Sequence, residues 1–220
     1  MLKGAIFDAD GTLLDSMPMW SGVGSGYLRE NFGIEAREDL DERFKDMSLY
    51  QSAQCLKEEY ALPLSIEEIG AGINKMVDHL YADFVELKPG VIGLLEELRR
   101  RGVKMCVATA SEAYQISMSL ERCGAAKYFE KVISCVDVGH GKNEPHIFYE
   151  AMELLGTDKE NTLLFEDAVY SVRTAKAEGI KSIGIYEQTM PQQEELIALT
   201  EFYIKDFREL DAFWEYIDKI

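Results

Sequence analysis

The chain has 220 residues, 47% of them hydrophobic, and a formal net charge of -17 from 40 acidic and 23 basic side chains. This is enough for a globular core, in one large domain or a domain with an insert. The acidity argues against a nucleic-acid backbone binder, which needs a basic face, and against docking on anionic lipid; an anionic small molecule would need a metal ion, a lysine or a helix N-terminus to receive it.

The first predicted element is a short buried strand, Ala5-Ile6-Phe7, which stops at two carboxylates, Asp8 and Asp10. Gly11 lets the chain leave sharply. Carboxylates this close repel unless a cation or proton is shared between them, and a hard cation such as Mg²⁺ suits oxygen ligands. From about Asp15 to Leu87 no strand is expected. Helical spacing runs from Met17 to Phe32, with Gly33 as the stop, and again from Leu49 to Tyr60. The acidic stretch Glu35 to Glu42 reads as a solvated face. Ser65 and Glu68 form a capping-box pattern that opens a helix to about Val85, weakened by Gly70 and Gly72. A run of helices inserted after one strand predicts a separate helical domain over 16–87, with 1–15 and 88–220 forming the other domain.

After Pro89-Gly90, helices and strands alternate. Val91 to Arg101 is a predicted helix. Val103 to Ala108 is a strand ending in Thr109-Ala110-Ser111, and Glu112 to Cys123 is a helix. Val132 to Val136 is a strand, Glu144 to Leu155 a helix, and Thr162 to Phe165 a strand ending in Glu166-Asp167. Ala168 to Glu178 is a helix and Ile180 to Ile185 a strand. The tail holds a helix from Gln192, a short strand at Phe202-Tyr203-Ile204 and a last helix. The alternation is that of a doubly wound parallel α/β sheet. Right-handed crossovers in such a sheet bring the strand ends to one edge, where ligands bind. Asp8, Asp10, Thr109, Ser111, Glu166 and Asp167 would then face one pocket. Lys142, in the turn Gly139-His140-Gly141-Lys142, would join them. Several carboxylates, a hydroxyl and one lysine suit Mg²⁺-assisted phosphoryl transfer.

The four cysteines, Cys55, Cys106, Cys123 and Cys135, include no C-x-x-C pair, which points to a reduced cytoplasmic protein. No signal peptide is expected, and no apolar run approaches the ~18 residues of a membrane span. His140 and His146 read as loop or helix-surface residues rather than metal ligands, since no H-x₃-H spacing is present. Met17, Met19 and Trp20 fit either the pocket side or the core of the helical insert.

Four motifs in order carry a resemblance: Asp8-Ala9-Asp10-Gly11-Thr12, then Val107-Ala108-Thr109-Ala110-Ser111, then Gly141-Lys142-Asn143-Glu144-Pro145, then Phe165-Glu166-Asp167. The chain resembles the haloacid dehalogenase (HAD) superfamily, in the subgroup whose Rossmannoid core carries an inserted helical cap. The resemblance implies Asp8 as nucleophile, forming an aspartyl-phosphate, and Asp10 as general acid and then base. It implies Gly11, Thr109, Ala110, Ser111 and Lys142 as the phosphate-binding set, with Lys142 also pairing with Asp8. Mg²⁺ would be held by Asp8, the Asp10 carbonyl and Asp167, with Glu166 beside it or reaching it through water.

Asp at position 10 favours phosphate chemistry over dehalogenation. Two departures from the family pattern are Asn143 and His146 in the third motif, and Ser171 near an expected glycine. The function so implied is a Mg²⁺-dependent phosphatase acting on a small phosphorylated metabolite. It would act as a monomer or weak dimer with no nucleic-acid or membrane partner, the cap excluding water and selecting the leaving group. The alternatives are a mutase similar to β-phosphoglucomutase and a non-catalytic binding protein on the same fold.

Overall fold

The computed structural model describes residues 1–20, 22–44 and 49–220. The chain divides into two compact units. One comprises Met1–Asp15 with Glu86–Ile220, the other Ser16–Val85.

The first strand, β1 (Gly4–Phe7), is buried at every position. The helical unit follows, with α1 (Met17–Trp20), α2 (Val23–Phe32), α3 (Leu40–Phe44), α4 (Leu49–Glu59) and α5 (Ile66–Asp83). The single helix expected from Met17 to Phe32 is two: the Gly22 N–H bonds the Met19 carbonyl at 3.1 Å, closing the first turn before α2 starts; Ser21 lies outside the described residues. The short α3 was not expected. It arises because Leu40 is fully buried within an otherwise largely exposed acidic stretch; the Glu42 side chain lies outside the described residues. The capping box on α5 forms as its sequence predicts, with Ser65 Oγ accepting from the Glu68 N–H at 3.1 Å and Glu68 accepting from the Ser65 N–H at 2.8 Å. Gly72 lowers intrinsic helix propensity but serves packing, since a Cβ there would meet the Tyr27 ring at 2.6 Å. Trp20 donates its indole N–H to the Tyr81 hydroxyl at 3.1 Å, inside the helical unit.

The chain returns through residues 86–88, which pair with residues 13–15. Asp15 N–H bonds the Glu86 carbonyl at 2.9 Å, and Lys88 N–H bonds the Leu13 carbonyl at 2.8 Å. The larger unit then runs α6 (Val91–Arg100), β2 (Lys104–Thr109), α7 (Ala113–Arg122), β3 (Val132–Ser134), α8 (Cys135–Val138), α9 (His146–Leu155), β4 (Thr162–Glu166), α10 (Val169–Ala177), β5 (Lys181–Ile185), α11 (Gln193–Leu199), β6 (Phe202–Ile204) and α12 (Asp211–Ile217). Here β3 is shorter than its apolar run predicts. Ser134 ends it by accepting the Val136 N–H at 3.1 Å, and α8 begins at once.

The six strands make one all-parallel sheet in the order β3-β2-β1-β4-β5-β6. The chain builds outward from β1 to β3, then crosses back to β4 and builds the other way. The reversal falls beside β1, the point at which open α/β sheets bind ligands beyond their strand ends. Phe7 pairs in register with Val107 on one side and Phe165 on the other, and its ring stacks on that of Phe165 at 4.3 Å. Asp8, the next residue, leaves the sheet at its centre, on a floor of fully buried side chains that includes Ile6, Cys106, Leu164 and Phe148 from α9.

Candidate active site

The residues that follow β1, β2 and β4 meet at the carboxyl edge. Asp8 is buried, and its N–H bonds the Phe165 carbonyl at 2.9 Å, tying it to β4. Gly11 has φ +80, and its N–H bonds the Leu14 carbonyl at 3.0 Å. This left-handed turn, which an L side chain adopts only with strain, folds the chain back after Asp10.

Lys142 comes from the turn between α8 and α9 and is only 2% exposed. Its ammonium bonds Asp8 Oδ1 and lies 2.9 Å from Glu166 Oε2. Burial pushes the lysine towards neutrality, but the charges of Asp8 and Glu166 outweigh it and hold the ammonium well above its ordinary range. Burial also pushes the Asp8 carboxyl up to about 7. Glu166 adds to the rise, Lys142 opposes it, and Asp10 adds a smaller increment. Asp167 is raised by the same causes, burial first and then Asp8 and Glu166.

Asp8, Glu166 and Asp167 each offer a carboxylate oxygen within 4.8 Å of the others, all three residues being buried. The donor set is all oxygen, and three carboxylates gather around the bonded ammonium of Lys142. Both facts fit a hard divalent cation such as Mg²⁺. Glu166 is the most heavily bonded of the three. Its Oε1 accepts the Asp167 and Ala168 N–H groups at 3.1 Å each, and its Oε2 accepts Lys142 at 2.9 Å and the Ser171 hydroxyl at 2.7 Å. Four donors fill the capacity of a carboxylate. Asp167 accepts the Thr12 hydroxyl at 3.0 Å.

Asp10 is half-buried and accepts the Ser111 hydroxyl at 2.6 Å. Ser111 is itself fixed twice: its N–H bonds Thr109 Oγ1 at 3.0 Å, and its carbonyl accepts the Ser134 hydroxyl at 2.7 Å. Thr109 is buried and Ala110 exposed. The residues expected to share a pocket therefore gather in two groups: Asp8, Lys142, Glu166 and Asp167 in one, and Asp10, Ser111 and Thr109, joined by hydrogen bonds, in the other. Thr12, Ser134 and Ser171 were missed as supports, because a single hydroxyl residue in a loop, at a strand end or on a helix carries no pattern of its own.

The whole span from β1 to β5, residues 5–185, matches the family model described as haloacid dehalogenase-like hydrolase. The chain belongs to that family. This haloacid dehalogenase-like hydrolase is 27% identical over 184 residues to a phosphorylated carbohydrates phosphatase of Thermotoga maritima, covering 83% of this chain and 84% of that protein. It is 27% identical over 186 residues to the fructose-1-phosphate phosphatase YqaB of Escherichia coli, covering 83% of this chain and 95% of the relative. Among solved structures it is similar to a Thermotoga maritima protein named as a candidate β-phosphoglucomutase, with a TM-score of 0.84 and 25% identity over 97% of this hydrolase and 99% of that chain. Among its described residues, no helix is long and apolar enough to cross a membrane.

Proposed function

We propose that this hydrolase is a Mg²⁺-dependent phosphatase of small phosphorylated metabolites that works through an aspartyl-phosphate on Asp8. The observation that carries the reading is the seat of Asp8: a buried carboxylate at the sheet's reversal point, bonded to a buried lysine and within 4.8 Å of two more carboxylates. Family membership supports hydrolysis of a phosphate ester, and both relatives described above are named phosphatases.

In this reading an Asp8 oxygen attacks phosphorus as the ester P–O bond breaks, and Asp10 gives its proton to the departing alkoxide oxygen. Asp10 then takes a proton from water, the water oxygen attacks phosphorus, the bond to Asp8 breaks and inorganic phosphate leaves. Ser111 orients Asp10. Lys142 balances Asp8, and Thr109, with Gly11, Ala110 and Ser111 nearby, receives the phosphoryl oxygens. Asp8, the Asp10 carbonyl and Asp167 would hold Mg²⁺, which when bound supplies positive charge to the phosphoryl oxygens. Glu166, already accepting four donors, anchors Lys142 and would lie beside the ion or reach it through water. The helical unit Ser16–Val85 is the substrate-selecting cap. Four cysteines outside any disulfide suit a cytoplasmic enzyme, with no nucleic-acid or membrane partner, acting as a monomer or weak dimer.

The test is phosphate release from a panel of sugar phosphates, nucleotides and phosphoglycolate with Mg²⁺. Asp8→Asn and EDTA should each abolish it, and full turnover under either condition overturns the reading. The likeness to the β-phosphoglucomutase candidate motivates a second reading, transfer back to sugar. β-Glucose 1-phosphate separates the two: free phosphate marks the hydrolase, glucose 6-phosphate the mutase.

A further inference from the structure

The turn that carries Lys142 inward has an outer face as well. The Glu144 N–H bonds the Gly141 carbonyl at 3.0 Å, closing the turn around Lys142 and Asn143. His140, Glu144 and His146 are all exposed on its outside. They converge: His140 Nδ1 lies 3.0 Å from Glu144 Oε2, and His146 Nε2 lies 3.4 Å from the same oxygen. The two imidazole rings sit 3.9 Å apart, centroid to centroid, at 31°. One donor atom from each of the three residues falls within 4.8 Å of the others.

We propose that His140, Glu144 and His146 form a second metal site, on the surface, for a borderline divalent transition ion of the Zn²⁺ type. Two imidazole nitrogens and one carboxylate oxygen are the donor set that Zn²⁺ selects and Mg²⁺ does not. With Zn²⁺ bonds of about 2.0–2.2 Å, neighbouring donors of a tetrahedron lie about 3.3–3.6 Å apart. The two histidine–glutamate distances are already close to that edge, so small rotations of exposed side chains complete three positions and leave the fourth to water. His79 provides the contrast. It pairs with Asp83 at 2.7 Å in the same i,i+4 relation as His140 with Glu144, but its ring neighbour is Phe84, not a second imidazole.

The site has a structural consequence. An ion held from residue 140 to residue 146 cross-links both ends of the segment that seats Lys142, so occupancy restrains that turn. The inference does not depend on the phosphatase reading, since neither histidine belongs to the proposed catalytic set.

The chain contains three histidines, which makes the test direct. Protein saturated with Mg²⁺ is titrated with Zn²⁺ while the histidine Cε1–H signals are followed by NMR. The His140 and His146 signals should change together and saturate at one equivalent, with His79 unmoved. His146→Ala should weaken Zn²⁺ binding by about tenfold or more, read by competition with a chromophoric chelator. Co²⁺ in place of Zn²⁺ should give visible bands without a thiolate charge-transfer band. Unmoved signals at one equivalent, a His79 signal that changes in step with the others, a thiolate band, or native affinity in His146→Ala would each overturn the site.

Discussion

Ser111 donates its hydroxyl to Asp10, Oγ to Oδ2 at 2.6 Å, from a strand end 101 residues away in sequence. Asp10 is half-buried, and this bond helps to direct its carboxyl. Ser111→Ala should leave the fold intact and lower kcat by about ten- to a hundredfold, within the range that a positioned general acid contributes. Ser111→Thr, which keeps the hydroxyl, should recover most of the loss. If Asp10 is the acid for the departing oxygen, the deficit should shrink for substrates with good leaving groups, such as aryl phosphates, because these need little protonation. An equal loss on alkyl and aryl phosphates would show that Ser111 acts elsewhere.

Asp8 makes the ion-free protein sensitive to pH in a particular direction. Burial and Glu166 raise its carboxyl from an ordinary 3.8 to about 7. Between those values the unfolded chain has released the proton and the folded chain keeps it. The folded state therefore binds more protons, and its stability falls as pH rises through the window, with the full cost reached above about 7. Asparagine at position 8 has no proton to lose. In EDTA, the Tm of Asp8→Asn relative to the native protein should climb from pH 4 to pH 7 and then level off. Mg²⁺ should stabilise the native protein most at the alkaline end, where the carboxylate is ionised. A difference in Tm that does not change with pH would contradict the burial argument.

Much of this site was legible in the sequence, and the limit follows contact range. Asp8, Asp10, Thr109, Lys142 and Asp167 announce themselves because each ends an apolar strand or sits among turn residues, and a parallel sheet aligns such ends. Ser65 and Glu68 were legible because a capping box is complete within four residues. By contrast, Thr12 with Asp167, Ser134 with Ser111 and Ser171 with Glu166 join hydroxyls to partners whose positions depend on the folded sheet or on the path of the chain beyond it. The break between α1 and α2 was hidden by apolar residues that continue a helical spacing across it. Early termination of β3 was hidden as well: Ser134 ends it through a side-chain bond, whereas the apolar run continues to Val136. The approach of His140 to His146 was hidden because a turn, not one helix, brings them together.

Ser171 gives its hydroxyl to Glu166 at 2.7 Å from a fully buried position. Ser171→Ala removes one of four donors to a buried carboxylate. The expected cost is about 1–3 kcal/mol of stability, the penalty of leaving such an acceptor short. Ser171→Gly should cost slightly more, since α10 also loses helix propensity by about 0.5–1 kcal/mol. Thermal or urea unfolding measures both. Activity should fall only modestly, because Lys142 and two backbone N–H groups still hold Glu166 in place.

Lys142 is the cation bonded to both Asp8 and Glu166, and its removal tests the electrostatics of the site. Lys142→Met keeps the length and volume of the side chain and deletes the charge. Breaking a buried ion pair from one side costs about 3–5 kcal/mol, because the remaining charge stays desolvated and unpaired. Here Asp8 and Glu166 are both left, so the upper part of that range is expected in EDTA, together with a loss of turnover. Two further measurements separate charge from packing. Mg²⁺ should raise the Tm of Lys142→Met by more than it raises that of the native protein, since the ion then meets a site with more uncompensated charge. The double variant Lys142→Met with Asp8→Asn should be more stable in EDTA than Lys142→Met alone, because one of the stranded carboxylates is gone. If the double variant instead equals the sum of the two single changes, Lys142 is held by packing, and the pairing with Asp8 contributes nothing to the fold.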